Sequence, residues 1–224
     1  HSLHSVVAGP DGSWYFNTGN AGPHHVTDKT GWALRSGSIY TGGTPYNKEN
    51  KPAQVSDDGK VWVGGLALRL GPDGTGLEVL AHNFRNSYEL AVDSYGNMWQ
   101  NDNDDEVVAC RVSWVMEGSN TGYFSADGSR TWKADRRQGQ EIFTAHWHQE
   151  DPGVLPVGDR TGAGAPTGVV MYEGDAFGDM FRGMFLSADA GRNEVFAYQP
   201  KPTGAGYAFE RKDLISSIGT STED

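Results

Sequence analysis

Residues 82–103 read HNFRNSYELAVDSYGNMWQNDN. An Arg-Asn pair, Arg85 and Asn86, stands before an apolar alternation around Leu90. A turn centred on Gly96 follows, and a run of amides and carboxylates closes the stretch. A strand needs only the alternation. The polar groups at its two ends therefore call for a second role, beyond building a sheet.

The turn-plus-strand unit recurs along the chain. PDGSWYF from Pro10, DDGKVWVGG from Asp57, DSYGNMWQ from Asp93 and MFRGMFLSA from Met180 each join a glycine turn to a short aromatic or apolar strand. Their glycines, Gly12, Gly59, Gly96 and Gly183, are 47, 37 and 87 residues apart, and the last gap is about twice a 43-residue period. A period of about 40 to 50 residues with several short strands per unit predicts propeller blades, and a β-sandwich is the competing architecture.

Composition agrees with an all-β reading. Glycine supplies 31 of 224 residues and aromatics 11 %, with no long run rich in Ala, Leu, Glu and Lys. The chain is expected to form one domain, residues 1–224, as part of a propeller. The tail from Lys212, with its single apolar run LISSI, reads as a strand without its blade.

Charge excludes one class of partner. Eighteen basic against 29 acidic residues give a formal charge of -11, which repels phosphate backbones; Lys133, Arg136 and Arg137 form too short a patch to reverse this. No stretch approaches the roughly 18 apolar residues of a membrane span. The single cysteine, Cys110, excludes an internal disulfide and reads as a buried, inert thiol among valines.

Several motifs fall short of the chemistry they suggest. Gly162, Gly164 and Gly168 miss the dinucleotide spacing and read as a turn entering a strand from Val169 to Tyr172. As a strand, His146-Trp147-His148 would place both histidines on one face, a start for zinc or iron that lacks a third ligand. A mouth loop or plain structure is the better reading. Residues 100–106, QNDNDDE, are dense in the hard oxygens that calcium prefers but lack the EF-hand spacing.

The segments HSLHSVVAGPDGSWYFNTGNAG, LRLGPDGTGLEVLAHNFRNSYELAVDSYGNMWQNDND, GSNTGYF and APTGVVMYEGDAFGDMFRGMFLSADAGRNEVFAY together resemble soluble glucose/sorbosone dehydrogenases. These are six-bladed propellers that use pyrroloquinoline quinone (PQQ) and calcium. The chain is most similar to the propeller module of planctomycete-type membrane-bound dehydrogenases, which often carry a haem-binding domain. The resemblance runs from His1 to about Tyr198 and implies about four of six blades.

It also implies roles. His1 would be the base that takes the sugar hydroxyl proton. Arg85 would stabilise charge on the quinone, and Asn86 would orient it. Asp102, Asp104 and Asp105 would lie near calcium. Arg192 would replace a family lysine, with Asp189 opposing a carboxylate-rich cofactor, and the family's stacking aromatic is missing near Thr161. The substrate would be a sugar or alcohol, the electron acceptor cytochrome-like and the location periplasmic. The rival reading is a non-catalytic propeller that binds carbohydrate or protein at a mouth lined by Tyr88, Trp99 and Trp147.

Overall fold

The computed structural model describes residues 2–40 and 48–216. His1 and the end of the tail lie outside them. Strand formation begins with the turns. In GPDGS, Asp11 Oδ1 accepts from Ser13 N (3.0 Å), Gly9 N donates to Ser13 O (2.9 Å), and Gly12 takes φ +80°. A β-carbon is disfavoured at that φ, so glycine closes the turn. The strands it joins are β1 (Leu3–Ala8) and β2 (Trp14–Thr18). DSYGN repeats the device: Asp93 Oδ1 accepts from Tyr95 N and Asn97 N, and Gly96 has φ +85°. It joins β7 (Leu90–Val92) to β8 (Met98–Asp102).

Three sheets follow one another. The first orders β1, β2, β5 (Leu66–Leu70) and β6 (Glu78–His82) antiparallel, with the short β10 (Ser119–Asn120) added parallel to β6. The second runs β7, β8, β9 (Cys110–Val115) and β11 (Asp159–Gly162). The third runs β12 (Pro166–Tyr172), β13 (Met184–Asp189), β14 (Glu194–Tyr198) and β17 (Arg211–Ser216). Strand β1 lies against β7, and β7 against β12, so the first strands of successive sheets are neighbours. That is how the inner strands of propeller blades surround their axis.

Alternation along the second sheet builds both interfaces. Leu90 and Met98 pack with Tyr15, Leu80 and Val115 against the first sheet. Their neighbours Ala91 and Trp99 turn the other way, to Phe185, Phe196 and Tyr198 of the third.

Gly12, Gly96 and Gly183 mark the hairpin between the first two strands of the three sheets. Gly59 does not. Its turn lies in the insertion between β2 and β5, which holds the hairpin β3 (His25–Thr27) and β4 (Ala33–Arg35). The same turn chemistry serves insertions as well as blades, so four marks correspond to three sheets, and the true spacing is about twice the expected one. The tail is also placed differently. LISSI begins within β17, which pairs along β14 and completes the third sheet.

A second insertion, between β10 and β11, carries helices α1 (Trp132–Asp135) and α2 (Ile142–His146). It packs Phe143 and Trp147 on Val63, Ala109, Tyr123 and Phe124. His146 ends α2 and His148 has φ +45°, so residues 146–148 are a helix end and not the strand that would have put both histidines on one face. The small hairpin β15 (Lys201–Thr203) and β16 (Gly206–Ala208) precedes β17.

Candidate functional site

The loops that leave β6, β8 and β13 and enter β12 gather at one end of the sheets. Arg85 and Asn86 follow β6, and their backbone is held on every side. Asp102, the last residue of β8, accepts Arg85 N–H through Oδ2 (2.9 Å) and Asn86 N–H through Oδ1 (2.6 Å). Arg85 O accepts from Asn20 N (2.8 Å) and Asn86 O from Asn103 N (3.3 Å).

The side chain of Arg85 lies over the loop after β8. Nη1 donates to both Asn103 O (2.7 Å) and Asn103 Oδ1 (2.9 Å), and Nε stands 3.6 Å from Asp104 Oδ1. Burial works against its charge, but Tyr123, Asp104 and Asp102 more than offset that, so its pKa is raised. The side chain remains 13 % exposed. Asn86 Oδ1 is buried and has no hydrogen-bond partner among the described residues.

A line of contacts runs on to Arg192. Asn103 Nδ2 donates to Gly164 O (3.2 Å), Ala165 N to Asp189 Oδ1 (2.8 Å), and Arg192 N to the same oxygen (3.1 Å). Arg85 and Arg192 therefore share one end of the molecule. The Arg192 guanidinium is engaged locally, with Nε on Glu194 (2.8 Å) and Nη1 on Thr161 O (2.8 Å). Asp189 is buried and caps backbone N–H groups.

The three carboxylates expected near calcium do not converge. Asp102 gives both oxygens to backbone N–H groups. Asp104 is fully buried; its Oδ2 accepts Trp147 Nε1–H (2.9 Å), and its Oδ1 accepts Glu106 N–H (3.1 Å). His146 Nε2 is 3.1 Å from Asp104 Oδ2 but lacks hydrogen-bond alignment. Asp105 accepts from Asn103 Nδ2 (3.0 Å). No three His, Cys, Asp or Glu side chains among the described residues are grouped to hold a metal ion. The carboxylate oxygens of this run thus accept from backbone, indole and side-chain amide donors.

Behind the mouth lies a group that the sequence does not advertise. Arg111 sits opposite Asp102 in the β8–β9 register and is buried, its guanidinium carbon 3.4 Å from the centre of the Trp147 ring. Burial lowers its pKa to about 10, with Asp102 and Asp104 opposing, so it stays charged at neutral pH. Only its cross-strand position to an acidic residue hints at this. Trp99 and Trp147 are both buried and line no mouth; of the three expected aromatics only Tyr88 is exposed. Cys110 is buried, and burial pushes its thiol up to about 11, as its inert reading requires.

Solved structures share this architecture. An aldose sugar dehydrogenase from Streptomyces coelicolor, in its PQQ-bound form, is 16 % identical with a TM-score of 0.55, over 96 % of this chain and 50 % of that one. An oxidoreductase from Thermus thermophilus, described as a glucose dehydrogenase, is 15 % identical with a TM-score of 0.58, over 98 % and 54 %. The chain thus spans about half the length of these two proteins. At such identity the likeness defines the fold: an all-β sheet array of the propeller type found in sugar dehydrogenases. No curated protein sequence matches this one. Residues 7–222 match the domain of unknown function DUF7133, and the chain belongs to that family.

Proposed function

We propose that this chain forms part of a quinoprotein dehydrogenase propeller that oxidises an aldose or another alcohol. The observation that carries this is the Arg85-Asn86 turn. It is fixed through its backbone at the loop end of two sheets, with a partly exposed guanidinium. A fixed cation suits an anionic, oxygen-rich planar group. The Streptomyces protein, similar in fold, binds PQQ.

PQQ, when bound, would supply the hydride acceptor. Arg85 would hold a positive charge against the developing negative charge, with no reorganisation, because Asn103 already fixes it. Asn86 would orient the group, and Arg192 would add a second cation at the same end. His1 as the base that takes the hydroxyl proton rests on the resemblance. So do transfer of electrons to a cytochrome-like acceptor and a periplasmic setting. No helix among the described residues is long and apolar enough to cross a membrane. Calcium does not fit the Asp102, Asp104 and Asp105 side chains, and no step is assigned to it.

That misfit, with Asp104 offsetting Arg85, favours the second reading, a non-catalytic propeller. Dye-linked oxidation of aldoses by protein incubated with PQQ separates the two. Turnover that is lost in Arg85→Ala supports the dehydrogenase. A folded protein without turnover on any aldose or simple alcohol supports the binding module.

A further inference from the structure

We propose that Asp102 is the positioning residue of this mouth: its buried carboxylate clamps the backbone of the Arg85-Asn86 turn and so aims both side chains. Its value to the quinone rests on the dehydrogenase reading; the clamp itself does not. Each Asp102 oxygen takes one of two successive N–H groups, at 2.9 and 2.6 Å. Two successive peptides fixed from one planar group leave the turn little freedom to rotate.

The residue type follows from the donors. The two N–H groups are met by two separate acceptor atoms, and a carboxylate alone among side chains of this length carries two. An asparagine would present an NH₂ to one of them. Asp102 is 2 % exposed, so water cannot stand in for a lost oxygen. Arg111, opposite it in the sheet, supplies countercharge without an ion-pair contact shorter than 4 Å among the described residues. That leaves both oxygens to the turn.

The rest of the turn is closed by independent contacts. Phe84 N donates to Gly65 O (3.1 Å), and Ser87 O lies 2.6 Å from His4 Nδ1. The clamp therefore sits in the middle of a segment whose two ends are already fixed, and its loss releases residues 85 and 86 rather than the whole loop. Sequence alone points Asp102 toward a metal; the geometry points it at the main chain.

The test is amide hydrogen exchange at residues 85 and 86, together with equilibrium PQQ binding, in the wild type and Asp102→Asn. Exchange at these two amides should accelerate about tenfold, because charge-assisted hydrogen bonds are lost, while Leu90 and Trp99 amides keep their rates. PQQ affinity should fall about tenfold. Unchanged exchange at 85 and 86 in a folded variant overturns the clamp. Faster exchange with wild-type affinity overturns its role in aiming the site. If the wild type binds no PQQ, faster exchange upholds the clamp while the quinone reading fails. Should Asp102→Asn not fold, Asp102→Glu keeps the charge and displaces the oxygens; the same local acceleration is expected, and its absence overturns the proposal.

Discussion

Arg85 donates through a single nitrogen, Nη1, to both the backbone and the side-chain oxygen of Asn103. The guanidinium is held before any ligand arrives, with Nε also 3.6 Å from Asp104 Oδ1; a lysine ammonium could meet Asn103 but not span Asn103 and Asp104 from one planar group. Arg85→Lys and Asn103→Ala should each weaken PQQ binding about tenfold, the first by losing the geometry and the second by freeing the cation. Isothermal titration on both variants checks this. Wild-type affinity in Asn103→Ala would mean that the contact is incidental.

Asp104 ties the second sheet to the helical insertion through Trp147 Nε1 and faces Arg85 and His146. Removing a buried carboxylate strands the groups around it, at a cost of ~3–5 kcal/mol. Asp104→Ala should lose about that much by urea denaturation. Asp104→Asn keeps an acceptor for the indole and should lose about half. Equal losses in the two variants would show that charge, rather than the indole bond, carries the effect.

Stability should fall in mild acid. His24 and His82 are lowered to about 4, both by burial. Their unfolded forms take up protons near 6.5, so their contribution is full above that value and is lost as pH falls toward 4. Asp102, raised to about 6 by burial with Arg111 opposing, acts in reverse: its contribution is full below the ordinary carboxylate range and is lost as pH rises through 6. Each is worth ~3 kcal/mol when complete. Two histidines outweigh one aspartate, leaving a net loss of about 3 kcal/mol between pH 7 and 4.5. Denaturant curves across that range should show it, and His24→Gln should remove much of it. A flat profile would contradict the assignment.

Gly65 has φ +83°, and a β-carbon there would lie 2.0 Å from Phe84 O, one residue before the Arg85 turn. Backbone atoms cannot yield as a flexible side chain can. Gly65→Ala should cost about 2–4 kcal/mol and loosen residues 84–86, as read by thermal unfolding and amide exchange. A variant as stable as the wild type would show that this crossing is not tight.

The turns were the legible part of this fold. Gly12 and Gly96 need φ above zero, and Asp11 and Asp93 need neighbouring N–H groups, so both announce themselves in GPDG and DSYGN. Their place in a sheet does not. Asp58 and Gly59 obey the same local rule inside an insertion, because the turn satisfies only its own backbone. The Arg85-Asn86 pair and the polar run at 100–106 were legible as neighbours. What Asp102 and Asp104 bind was not, since backbone N–H and indole partners leave no pattern in spacing. Burial hid Trp99 and Trp147 in the same way: alternation gives a face, and only the packed sheets show that the face is covered.

The most direct test of the central claim is equilibrium titration of PQQ into the protein, read by quinone absorbance, beside Arg85→Ala and Asn86→Ala. The account expects saturable binding by the wild type and affinity at least about tenfold weaker in each variant. Protein that is folded by circular dichroism yet binds no PQQ, or binding that both variants leave intact, would contradict it.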